Sequence, residues 1–207
     1  VISKEGKYAM PWERLDEFID TMEYWTEVQN YLESIEAQRA TGTRLVAFGR
    51  PYLKDENTLI LPNGPARDQM DDGEILLSIT RDDDGYSLRR TGYERGDTFT
   101  GRQEWKASNF DLVGKYVLVR QNSRFRTKIG VGSPFHQWLD IGLASQWEKR
   151  HMSQDEVGVD WLYKYTNSSS PSVYYYDYDN GDPLTFPFSL SYRDITDIYM
   201  KGVPQPH

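Results

Sequence analysis

At 207 residues, with 38% hydrophobic and 27% charged side chains, the chain is long enough for a sizeable core and too apolar for a disordered segment. A net charge of −8 argues against a nucleic-acid binder, whose affinity comes from Lys and Arg, and suits a partner with a basic surface. The chain lacks cysteine, which removes disulfides and thiolate metal sites, and it has no apolar run of membrane-spanning length.

In chain order, VISKEGKYAM has no apolar h-region, so no signal peptide and a cytoplasmic location are expected. Pro11 to Ala40 predicts a long helix. Leu15, Phe18, Ile19, Met22, Trp25, Val28, Leu32 and Ile35 recur at three- and four-residue steps, while Glu13, Asp16, Glu17, Asp20, Glu23, Glu27 and Glu33 line the other face. Leu45–Tyr52, Thr58–Leu61 and Ile75–Thr80 read as strands, with a loop over Pro62–Gly73 that contains no Gly-Lys-Ser/Thr phosphate signature. Tyr86–Arg90 alternates apolar and charged after the Asp84-Gly85 turn. Thr98 to Trp105 returns as the second arm of a hairpin.

Ser108 and Asp111 are placed to cap a central helix, with Leu112, Tyr116 and Val119 on one face. Val113, Val117 and Val119 are β-branched, so a strand through Lys115–Arg120 stays open. Gln137–Arg150 predicts an amphipathic helix built on Trp138, Ile141, Leu143 and Trp147. Val157–Tyr165, Val173–Tyr178 and Leu184–Leu190 read as strands, and Ser191 to Gly202 as a short capped helix. Runs of strands with helices at the start, middle and end predict a single α+β domain over 1–207, built on antiparallel sheet.

The segment from Asp84 to Arg126 resembles actinobacterial immunity proteins, the antitoxins of the tuberculosis-necrotizing-toxin type of NAD glycohydrolase and their relatives in polymorphic-toxin systems. The matching residues are Asp84, Gly85, Tyr86, Arg90, Glu94, Arg95, Gly96, Ala107, Ser108, Phe110, Asp111, Val113, Tyr116 and Arg126, with a fainter echo over Leu190–Asp197. The resemblance implies an inhibitor that binds a cognate secreted toxin and occludes its active site, the toxin being an NAD glycohydrolase if the likeness extends to the partner.

The residues themselves offer little chemistry. His136, His151 and His207 are far apart, with no acid at metal-motif spacing. Asp71-Asp72, Asp82-Asp83-Asp84 and Asp177-x-Asp179 sit at turns where Asp serves the backbone, and none has a complete calcium loop. Asp160 with Tyr163, or Glu94 with Arg95, leaves open a hydrolase or transferase with a carboxylate-based site. A structural or adaptor subunit of a larger assembly, with the N-terminal helix as an oligomerisation element, is a third reading. A binding protein rather than an enzyme is expected, without cofactor, metal, membrane or nucleic acid. Strand parity puts Tyr175, Asp177 and Asp179 on one face and Tyr174, Tyr176 and Tyr178 on the other. The first set, expected exposed, is the candidate partner-binding surface, with Asp82, Asp83 and Asp84 as the second choice.

Overall fold

A computed structural model of the chain describes residues 12–38, 49–62, 75–94, 97–153 and 163–204. Helix α1 (Leu15–Gln38) forms where the long stripe predicts it, and Phe18, Met22, Trp25, Val28 and Leu32 of that stripe are buried. Glu13, Asp16, Glu17, Asp20 and Glu27 are exposed on its other side. Strands β1 (Tyr52–Asp55), β2 (Thr58–Leu61), β3 (Ile75–Asp82), β4 (Gly85–Glu94) and β5 (Asp97–Ala107) follow. After α2 (Phe110–Lys128) and α3 (Phe135–Ile141) come β6 (Trp147–His151), β7 (Tyr163–Asn167) and β8 (Ser170–Asp177). Two 3₁₀ turns, Asp182–Thr185 and Pro187–Ser189, lead into α4 (Tyr192–Met200). The fold is α+β. Its eight strands form one sheet in the order β1-β2-β3-β4-β5-β8-β7-β6, with every pair antiparallel. Among the described residues, no helix is long and apolar enough to cross a membrane.

Helices α1, α2 and α4 meet on one face of the sheet. Phe110 sits at that junction, its ring 5.2 Å from Trp12, 5.4 Å from Phe18 and 5.9 Å from Tyr86, all edge-on as aromatic quadrupoles prefer. Gly114 lets the helices approach: a Cβ there would lie 2.3 Å from Tyr192 Oη and 3.0 Å from Phe18. Ser191 and Asp194 make the expected capping box at the start of α4. The buried Arg126 guanidinium donates to the carbonyls of Tyr199 and Lys201, which the end of α4 leaves unpaired, and to that of Gly132 in the segment after α2.

Several expectations change. The central segment is helical, so the strand alternative falls away, but its cap is Asn109, whose Oδ1 accepts from Leu112 N at 3.0 Å. Ser108 instead joins β5 to β8: its Oγ accepts from Tyr174 N and its N–H donates to Tyr174 O, both at 2.9 Å. Gln137–Arg150 is not one helix. Gly142, at φ 80°, stops α3, and Trp147 begins an edge strand paired with β7. Leu184–Leu190 is not a strand, because Pro183 and Pro187 each suit the first turn of a 3₁₀ helix and cannot donate to a ladder. Residues 49–51 of the expected Leu45–Tyr52 strand are not extended ladder, and β1 starts at Tyr52. Pro11, residues 39–48, most of the Pro62–Gly73 loop, Arg95 and Gly96, Val157 to Trp161 with Asp160, and His207 lie outside the described residues.

Candidate functional site

Helix α2 buries one stripe and presents another. Tyr116, Val119, Arg120, Ser123 and Arg124 fall at steps of three and four, so they share a face. They form one wall of a cleft of 370 Å³. Asp177 and Asn180, at the end of β8 and in the turn beyond it, form the facing wall with Leu184, and Phe135 at the start of α3 closes one end.

A bulge sets the chemistry of the inner wall. Leu88 pairs with Trp105 but Arg89 pairs with Gln103, so Glu104 is the extra residue of β5. A bulge turns two successive side chains to similar directions, and here both reach α2. Trp105 stacks on Tyr116 at 4.4 Å and 4°, while Glu104 takes Arg120 at 3.1 Å and forms an ion pair with Arg90 at 2.7 Å. Burial works against the Arg120 charge, but Tyr116 and Glu104 outweigh it and the pKa is raised. Burial pushes the Tyr116 hydroxyl up to about 12. Arg124 is exposed at the cleft mouth and has no ion-pair partner among the described residues; burial of the cleft, then repulsion from Arg120, lowers its pKa.

Asp177 is 8% exposed. Its Oδ2 accepts from Trp105 Nε1 at 3.1 Å and its Oδ1 from Tyr178 N at 2.7 Å. Burial nevertheless dominates and raises its pKa to about 6. This corrects the expected binding face. Tyr175 and Asp177 do share a parity, but it points into the core beneath α2. Tyr175 is fully buried, stacked on Tyr165 at 4.6 Å, and donates its hydroxyl to Gly181 O at 3.0 Å. Asp179 lies past the strand end, exposed, and pairs with Lys149 at 2.8 Å, which lowers its pKa. The three residues therefore form no common exposed surface, and of the six candidates only Asp177 enters the cleft.

Asp82, Asp83 and Asp84 lie at the β3–β4 turn. Asp82 accepts from Ser87 at 2.5 Å and stands 3.7 Å from Arg89; Asp84 pairs with Lys106 at 2.6 Å, and its carbonyl accepts from Tyr174 at 2.9 Å. Asp83 is exposed in the turn. Tyr163 lies against the Lys149 ammonium at 4.3 Å and against His151. Among the described residues, no three His, Asp or Glu gather as a metal set.

Sequence reasoning missed Arg120, Ser123 and Arg124. The signal was available: the helical face through Tyr116 and Val119 continues onto these residues, and a polar continuation of an apolar face marks a stripe leaving the core.

Leu139 at 45%, Ile141 at 63% and Leu143 at 36% exposed form an apolar ledge on and just after α3, and Tyr178, at 48%, is exposed just past the end of β8. Leu139 is one turn from Phe135, which puts the start of the ledge next to the end wall of the cleft. Ala144 N donates to Thr185 Oγ1 at 3.0 Å, tying the far end of the ledge to the first 3₁₀ turn.

The fold thus defines an α+β protein with one helix-covered antiparallel sheet. Compared with protein-family models and with curated proteins, the chain matches neither. Among solved structures it is similar to Rv3902c from M. tuberculosis, at 15% identity and a TM-score of 0.48, over 69% of this chain and 74% of that one.

Proposed function

We propose that the protein is an immunity factor: a stoichiometric inhibitor that binds a secreted bacterial toxin enzyme and blocks its substrate cleft. The resemblance of Asp84–Arg126 to antitoxins of NAD glycohydrolases gives the class of partner. The observation that carries the reading is the exposed apolar ledge of Leu139, Ile141 and Leu143, which starts one turn from Phe135 of the charged cleft. Apolar anchors rimmed by polar groups are what a protein interface places at its centre. The ledge replaces the Tyr175–Asp179 surface as the proposed contact.

The test is co-expression with any secreted toxin encoded in a neighbouring gene, read as cell survival, NAD content and complex formation. The parent is expected to protect cells and to inhibit NAD hydrolysis at one molecule per toxin. Leu139→Asp with Ile141→Asp should abolish protection while leaving the melting temperature unchanged, since both side chains are exposed. Full protection by that double variant rules out the ledge, and a parent that binds no neighbouring toxin removes the immunity reading.

Asp177 favours a second reading, a carboxylate-based enzyme, because a buried acid of raised pKa in a cleft is what a general acid or base requires. Turnover lost in Asp177→Asn and retained in the ledge variant would select it.

A further inference from the structure

We infer that the cleft binds a carboxylate borne on a compact apolar body, held by Arg124 at its mouth and by Val119, Phe135 and Leu184 within. The chain carries −8, yet this cleft concentrates Arg120 and Arg124, with Arg90 behind them, against Glu104 and the buried Asp177. Glu104 is already shared between Arg90 and Arg120, so Arg124 is the guanidinium left for an incoming anion. Its planar fork suits a carboxylate in bidentate contact.

The rest of the lining narrows the ligand. Val119, Phe135 and Leu184, with the ring of Tyr116, make the interior mostly apolar, and the volume is within the range of small-molecule pockets. A polyphosphate or a nucleotide fits poorly, because added negative charge would face Asp177 where it is most deeply buried. A cation would meet Arg120 and Arg124. One negative charge at the mouth and an apolar body inside satisfy both ends, and Asn180 can donate to or accept from a polar substituent on the body.

A free metabolite acid and the C-terminal carboxylate of a polypeptide ending in an apolar residue share this chemistry. The inference is separate from the docking proposal: the ledge variants test that one and Arg124 tests this one.

The experiment is an NMR titration of the whole chain with phenylacetate, with phenylacetamide as its uncharged isostere, and with an acetylated tripeptide ending in Phe with a free carboxylate. Phenylacetate or the peptide acid should shift the signals of Tyr116, Ser123, Arg124 and Asn180 saturably, and the amide should bind roughly tenfold or more weakly than phenylacetate. Tighter binding of the peptide than of phenylacetate assigns the carboxylate to a polypeptide terminus, and the reverse order assigns it to a free acid. Arg124→Gln should lower affinity for both acids by about the same tenfold, leave that for the amide unchanged, and keep the parent melting temperature because the side chain is exposed. Arg124→Lys should restore part of the loss. The inference is overturned if neither acid shifts these signals at tens of millimolar, if the amide binds as well as the acid, or if Arg124→Gln keeps full affinity.

Discussion

A buried carboxyl whose folded pKa is raised weakens the fold wherever it has to ionise, and Asp177 is such a group. Arg120 and Tyr116 face it from α2, Trp105 from β5, Tyr165 from β7 and Asp182 from the 3₁₀ turn; desolvation, with Asp182 adding to it, outweighs the hydrogen bonds from Tyr178 N and Trp105 and the Arg120 charge, and sets the value near 6 against 3.8 for the free group. Between these two values the folded state holds the proton more tightly than the unfolded chain. Its stabilising contribution is therefore complete below the unfolded pKa and is lost as pH rises through the folded one. The loss is about 3 kcal/mol at most. Urea unfolding of the parent and of Asp177→Asn at pH 4.5 and pH 7.5 checks this. Because part of the loss has already occurred at pH 4.5, the variant should gain on the parent by about 2 kcal/mol between the two pH values, and a constant difference would show that Asp177 ionises freely. At the same scale, Asn109→Ala should cost about 1 kcal/mol as a lost cap. Ser108→Ala should instead speed hydrogen exchange at the Tyr174 amide, because that N–H loses its acceptor. Equal exchange at Tyr174 in both variants would contradict the assignment of Ser108 as the β5–β8 tie.

At the scale of elements, Gly114 decides how closely α1, α2 and α4 converge. In an open helix Gly→Ala stabilises by about 1 kcal/mol through propensity. Here the added Cβ would press on Tyr192 and Phe18, both fully buried, so Gly114→Ala should destabilise by about 1–3 kcal/mol in denaturant unfolding. A more stable variant would mean that α4 can move away at little cost. The bulge at Glu104 is the other decision made at this scale. Without it, Glu104 would face away from Trp105 and α2, and Arg120 would lose the carboxylate that holds it at the cleft wall.

Across the whole molecule, charge and shape point to different surfaces. The acidic face of α1 accounts for much of the net charge, and among its residues Glu17 pairs with Arg14 and Glu23 with Arg50. The cationic cleft and apolar ledge lie elsewhere, around α2 and α3. The proposed toxin complex should therefore depend little on salt if the ledge supplies the affinity, since apolar burial is not screened as exposed charge is. A steep loss of affinity with salt would move the interface to the α1 face.

The sequence by itself determined the elements whose signal is local. The α1 stripe, the β3–β4 hairpin with its Asp-Gly turn and the Ser191–Asp194 box all lie where spacing puts them, because helical and strand periods are properties of a few consecutive residues. It also determined that Tyr175 and Asp177 share a face. Only the tertiary structure decided which face: β8 pairs with β5, distant in sequence, and α2 covers the side that carries Tyr175. Parity says nothing about what lies above a sheet, so an acid next to tyrosines reads equally as surface or as core. The same limit hid the cleft. Arg120 and Arg124 face Asp177 and Leu184 because the sheet register, the Glu104 bulge and the two proline-started 3₁₀ turns bring them together, and each of those depends on contacts far apart along the chain.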